Sequence, residues 1–363
     1  MADDIFSQLI DLFNQPGPVN WKLAREVAVQ LAGDRQPVDP WLADEYVELG
    51  RLAQLQIQAT THLRSPDSLD VVPTDRHDWV TQQLQAFGYL VEPLASQYSG
   101  TGDGVDPISQ LLKPLGPALL GMQMGSTVGF LAHRALGQFD IGVPTNPPGA
   151  RYVIVDNVEA FIADYQLEPR QTRLWVAFRN GVHDAAFAGP WIRQHIVDLV
   201  EEHLGSVDFD TSTLMETIQN LSDPSHFQEL LADGDGLTGF LSPTGKSEAQ
   251  ARARAAIGFV SGYGEHVLRA SAAKLIPDLG AIENAHRLKQ SEPGTPDQLM
   301  TRIIGLELTN ELHDEGAEFC REVERRWGAE ALESVWQEPA HLPRGAELAD
   351  PVAWAARVLL PDF

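Results

Sequence analysis

Between Pro114 and Ala132 the chain carries no charged residue, and Gly121, Gly125 and Gly129 recur at every fourth position. In an α-helix that spacing puts the three glycines on one face, where a second backbone can approach closely. A membrane span is the competing reading. It is disfavoured by Pro114, Pro117, Gln123, Ser126 and Thr127 and by the lack of a long aliphatic run. The stretch therefore predicts a buried core helix with another helix lying directly on its glycine face. A chain organised around such a helix is committed to helix-on-helix layers.

Helical periodicity runs through most of the rest. After the Pro16-Gly17-Pro18 turn, Leu23, Val27, Val29 and Leu31 mark a first helix. Trp41 to His62 reads as a second, with Leu49, Leu52, Leu55 and Ile57 as its apolar side. Further helices are predicted over Trp79–Tyr89, Pro114–Leu136, 171–187, 190–205, 211–220, 224–232, 246–275, 296–308 and 311–327. Strand signals are brief: Leu69-Asp70-Val71-Val72 and the β-branched run Tyr152-Val153-Ile154-Val155. Asp156-Asn157 is then expected to start a helix by capping. The Pro- and Gly-rich run from Asp140 to Arg151 reads as a loop. The expected class is mainly α with a few short strands (α+β). The 363 residues allow one large domain over 1–363, or a helical part over 1–145 and a site-bearing part over 146–363.

The formal net charge is -25, and the acidic residues are scattered. Nucleic-acid binding needs clustered Lys and Arg, and anionic membranes attract the same residues. Neither partner is expected, and the charge serves solubility. The single cysteine, Cys320, excludes an internal disulfide and any zinc site built on two or more thiolates; it reads as structural. The first residues have no basic segment and no small-residue cleavage site, so no signal peptide is expected and a cytoplasmic location is. Three loops imitate binding motifs. Ser99–Asp106 lacks the lysine of a phosphate loop, Thr244–Ser247 lacks the glycine spacing of one, and Asp233–Gly236 lacks the later ligands of a calcium loop.

The chemistry-bearing stretch runs from Thr172 to Ile196, TRLWVAFRNGVHDAAFAGPWIRQHI. Trp175, Phe178, Val182 and Ala186 give it an apolar face at helical spacing. Catalytic zinc is often held by His-Glu-x-x-His on a helix. The two histidines, one turn apart, bind the metal, and the glutamate activates its water. Here the corresponding residues are Arg179, Asn180, Gly181, Val182 and His183. Around them stand Arg173-Leu174-Trp175-Val176, Phe187 and Pro190-Trp191-Ile192-Arg193. Earlier come Val19-Asn20-Trp21, Leu23–Ala28, Arg76–Val80 and Leu136-Gly137-Gln138-Phe139-Asp140. Later come Gly262–Val267, Gly305–Leu308, Val335–Pro339, Leu342-Pro343 and Asp350-Pro351. In this order, over nearly the whole chain, these segments resemble the bacterial zincin-like metallopeptidase family.

That resemblance implies a zincin-like helical architecture and a metal-dependent hydrolase whose metal positions fall on Arg179, His183 and Ser261, with Asn180 at the position of the general base. The third ligand position, in a segment that usually reads Glu-Gly-aromatic, is Ser261-Gly262-Tyr263 here. Only His183 keeps its type. A guanidinium stays protonated, offers donors only and repels a divalent cation. An amide cannot take a proton from water near neutral pH. Two function classes follow. One is a pseudoenzyme that keeps the cleft for a protein or peptide ligand, without a cofactor. The other is an active metal-dependent hydrolase, zinc-loaded through relocated ligands His183, Glu265 and His266. The first expects Arg179 to pair with an acidic residue, Glu265 foremost and Asp184 next, because an unpaired buried charge is costly. Asp184 could also orient the His183 ring. His195, His203 and His226 lack a one-turn partner and are expected to be exposed or locally bonded. Trp175 and Trp191 are expected to pack as core or pocket wall.

Overall fold

The computed structural model describes residues 17–64, 70–93, 95, 107–140, 142–145, 150–206, 248–292 and 305–360. The predicted helices over 211–220 and 224–232, most of the one over 296–308, His226 and the three motif-like loops lie outside these residues. Among the described residues there are twelve α-helices and two short strands. The helices are α1 (Trp21–Ala32), α2 (Pro40–Thr60), α3 (Arg76–Gln83), α4 (Pro107–Arg134), α5 (Val155–Asp164), α6 (Pro169–Phe187), α7 (Ile192–Gly205), α8 (Glu248–Ala272), α9 (Leu279–Gln290), α10 (Asn310–Trp327), α11 (Ala329–Glu333) and α12 (Pro351–Val358). The strands β1 (Val71–Thr74) and β2 (Arg151–Ile154) pair in parallel, with Val71 opposite Arg151. The mainly α reading of the sequence holds. None of these helices is long and apolar enough to cross a membrane.

The glycine stripe does what its spacing predicts. α1 lies along α4, and a methyl group on Gly121 or Gly125 would collide with the carbonyl oxygens of Asn20 and Ala24. At Gly129 a methyl group would instead crowd the Leu31 side chain. A second glycine crossing was not anticipated. Gly258 and Gly262 on α8 meet Gly316 on α10, with backbone against backbone. α10 starts at the Thr309 cap, whose hydroxyl accepts from the Leu312 amide. It buries Leu312, Phe319, Cys320 and Val323 on one side, as amphipathic spacing requires. Buried apolar residues from Val19 to Ala355 form one continuous cluster, with Trp79, Trp354, Tyr46 and Tyr263 its largest fully buried side chains.

Several local expectations are corrected. The segment predicted as a helix over Trp79–Tyr89 begins at Arg76 and tightens into a 3-10 helix over Leu84–Leu90. Residues 305–308 are irregular, not helical: Gly305 has a φ of 67° and the Leu308 amide donates back to the Leu306 carbonyl. Asn157 does not cap its own helix, whose N-cap is Ile154 with no side-chain bond. Its amide instead donates to the Ala132 and Ala135 carbonyls, closing the C-terminus of α4. α9, α11 and α12 are additional. The turn after α4 is pinned to β2: the Ile154 amide donates to the Leu136 carbonyl and the Gln138 amide to the Tyr152 carbonyl, both at 3.0 Å. This fixes Phe139 and Asp140 beside α6.

Candidate functional site

α6 is a core helix. Pro169 fits its first turn, and the Glu168 carboxylate caps it by accepting from the Gln171 amide at 2.6 Å. Trp175, Phe178, Val182 and Ala186 are buried, as their spacing implied. Arg179 and His183 share the face that opens into a polar cleft. Across it α8 presents Ser261, Gly264, Glu265 and Leu268, α9 presents Glu283 and His286, and α10 presents His313 and Asp314. The Gly262–Gly316 crossing holds α8 and α10 close enough for both to line one wall.

Arg179 forms an ion pair with Asp140, whose side chain is almost fully buried. The second oxygen of Asp140 accepts the amides of Leu136 and Gly137, the latter at 3.1 Å. The carboxylate is thus fixed by the β2-linked turn before it meets the guanidinium, which also lies over the Trp175 ring with 5.7 Å to the centroid. This corrects the expected partners of Arg179. Glu265 pairs instead with Arg269 at 2.6 Å, and Asp184 with the buried Arg151 at 2.9 Å. Asp184 therefore does not orient His183. Glu265 and Arg269 are one helical turn apart on α8, so the local pair forms before a cross-helix one is needed.

His183 places Nδ1 2.8 Å from the carbonyl of Arg179. A carbonyl only accepts, so the ring hydrogen sits on Nδ1 and Nε2 is a bare acceptor. The ring stacks on Phe139 at 5.6 Å between centroids and leans on Gly264, where a side chain would crowd it. Burial, aided by the Arg179 charge, lowers its pKa to about 4. His313 falls to about 4 for the same reasons, and His286, beside Trp175 at 5.0 Å, falls well below its ordinary value. The cleft thus holds three imidazoles whose charged forms are disfavoured by burial and by the Arg179 guanidinium.

The remaining sequence-selected residues divide. Ser261 lines the cleft. Asn180 does not: it is buried against Gly137, and its Nδ2 has no hydrogen-bond partner. Glu265 lines the cleft, but its neighbour His266 turns to Glu324 on α10 at 2.9 Å and is not a lining residue. His183, Glu265 and His266 therefore do not converge on one point. Among the described residues the only group of three His, Cys, Asp or Glu with ligand atoms within 4.8 Å is Asp75, His77 and Asp78. Asp75 there caps α3 and accepts from the Gln36 amide, and Asp78 pairs with Arg35. These carboxylates are already engaged in holding the start of α3. His195 packs edge-on against Trp191, while His203 is fully buried rather than exposed. Tyr263 is buried, and its hydroxyl bonds with Thr61 and Glu333. Cys320 is buried, and burial pushes its thiol well above the ordinary value, which suits a structural residue. Trp175 forms core and cleft wall together, and Trp191 donates to the Trp336 carbonyl.

Sequence reasoning missed Asp140, His286 and His313. Asp140 stood in a quoted segment without a role. The signal available for it was an acidic residue just after a core helix that faces the site. His286 sits on α9, which was not foreseen, and His313 lies one turn past the Thr309 cap.

The described residues thus combine a mostly helical fold, a buried helix facing a polar cleft and a minimal parallel strand pair. The sequence model of the zincin-like metallopeptidase family matches residues 19–355, and the chain belongs to that family. A crystal structure from Chloroflexus aurantiacus, described as "a putative hydrolase with a novel fold", is similar to it at a TM-score of 0.67 and 23% identity. The match covers 93% of this chain and 98% of that one. No curated protein matches the sequence.

Proposed function

We propose that this chain is a metal-free, catalytically inert member of its family whose cleft serves as a binding site for a peptide-like ligand. The observation that carries this reading is the Arg179–Asp140 ion pair at the position the family resemblance assigns to a zinc histidine. The residues present do not fit zinc. A cation there would face a guanidinium already held by a carboxylate, with one imidazole, His183, and the weak neutral donor Ser261 as the other candidates. Asn180 has no basicity and is turned to Gly137, so water activation has no base at this position. The alternative active site through His183, Glu265 and His266 is weakened by the separate partners Arg269 and Glu324.

A zinc titration against a chromophoric chelator tests the reading. The wild-type protein is expected to compete no better than its His183→Ala variant. A tight one-to-one site that disappears in His183→Ala would contradict it.

A further inference from the structure

One wall of the cleft is held differently from the others. α9 contributes Glu283, His286, Arg287 and Gln290 to the lining. Of its 12 residues only Ile282 and Ala285 are buried, against 14 of the 19 in α6. Leu288 is 55% exposed, and Gly280 has open space around it. α8 and α10 meet backbone to backbone at Gly262 and Gly316, whereas α9 docks through the Ile282 side chain and the His286 ring. That ring lies 5.0 Å from Trp175 and edge-on to Phe161 at 6.4 Å.

The other ties of α9 are polar, and each includes a side chain open to water. At its start Gln171 on α6 exchanges two hydrogen bonds with Asp278: Nε2 donates to the carboxylate at 3.0 Å, and Oε1 accepts the Asp278 amide at 2.8 Å. At its middle Arg269 on α8, 38% exposed, forks onto Glu283 with Nε at 3.0 Å and Nη2 at 3.1 Å. Just past its end the Glu292 carboxylate accepts from Arg134 at 3.3 Å and from the Tyr165 hydroxyl at 3.1 Å. Water competes for all of these groups, so each tie adds little. The turn before α9 is firmer: Ile276 is buried, and its amide donates to the Ala272 carbonyl at 2.9 Å. Few buried apolar contacts and solvent-reached hydrogen bonds are the marks of an element that opens before the rest of a fold.

We propose that α9 is a lid on the cleft, which undocks about the turn after Ile276 and removes the wall formed by Glu283 and His286 while α6, α8 and α10 stay folded. The Arg269–Glu283 fork is its latch. A 12-residue helix is marginal in water by itself, so the undocked α9 frays and its amides exchange with solvent. The proposal concerns access to the cleft, and for that purpose it rests on the reading of the cleft as a binding site.

Hydrogen–deuterium exchange of the full chain, read by mass spectrometry, tests it. Residues 281–290 are expected to exchange at least about 100-fold faster than residues 174–187 of α6. Glu283→Gln unfastens the latch and should speed 281–290 about tenfold further without changing 174–187. Glu318→Gln, which breaks an exposed ion pair with Arg321 elsewhere, should change neither segment. Thiol labelling gives a second readout. Leu268, 4% exposed, lines the cleft, and Cys320 is fully buried in the core. In a Leu268→Cys variant, Glu283→Gln should speed iodoacetamide labelling at position 268 about tenfold and leave Cys320 unchanged. Exchange of 281–290 as slow as that of 174–187 would overturn the proposal. So would a Glu283→Gln change that speeds both segments alike, or that alters neither 281–290 nor labelling at position 268. Both readouts report the motion whether or not metal is bound, so chelator-resistant zinc would refute the metal-free reading alone.

Discussion

Replacing Asp140 by Asn removes one charge from the pair that occupies the heart of the cleft, and the structure sets the size of the effect. Arg179 keeps 18% of its side-chain exposure and Asp140 only 7%, so the pair is largely but not completely shielded. Breaking a buried pair by removing one partner costs roughly 3–5 kcal/mol, and the residual exposure places this case near 3 kcal/mol. Asparagine keeps one oxygen for the Leu136 and Gly137 amides, so the turn itself should survive. The loss isolates the unpaired guanidinium. Arg179→Met removes that charge at similar length, and the double variant should recover at least about 1.5 kcal/mol relative to the sum of the single changes. Urea unfolding followed by tryptophan fluorescence measures all three variants, since Trp175 lies directly beneath the guanidinium. If Asp140→Asn costs less than about 0.5 kcal/mol, or the two changes add independently, the ion pair is not the structural replacement argued here.

Acid should destabilise the protein through the cleft histidines. Their folded pKa values lie below the unfolded value near 6.5, so the unfolded chain takes up protons first. Stability is then full above about 6.5 and falls as pH drops towards 4, with an upper bound near 3 kcal/mol each for His183 and His313. Urea midpoints between pH 7 and 4.5 should therefore flatten in a His183→Gln, His313→Gln variant, and an unchanged slope would count against the assignment. Gly316→Ala should lower stability by about 1–3 kcal/mol, because a methyl group there meets the α8 backbone, whereas Gly280→Ala, with open space around it, should not; thermal melts compare them. Arg179→His with Ser261→Glu should raise zinc affinity well above the parent's, since both positions line one cleft with His183. Adding Asn180→Glu should cost stability against Gly137, and no gain in zinc affinity from the double variant would mean that the ligand positions are misassigned.

What could be read from the sequence was what depends on periodicity. The glycine stripe of α4, the core face of α6 and the two short strands follow from side-chain spacing along one element. The site was harder because its partners come from different elements. Arg179 and His183 share a face by spacing alone, but the partner of Arg179 sits 39 positions earlier, in a turn whose place depends on pairing with β2. Glu265 looked free to reach Arg179 until its own helix offered Arg269 one turn away. His286 and His313 have no local motif. They meet only because Gly262 and Gly316 let α8 and α10 cross at backbone contact and because α9 returns across Trp175.

The most direct test is the metal content of the protein purified in metal-free buffers without a histidine tag. Elemental analysis should find zinc, and any other transition metal, far below one equivalent per chain, with no change on His183→Ala. Near-equimolar zinc in the wild type, lost in His183→Ala, would contradict the claim that an ion pair has taken the metal's place.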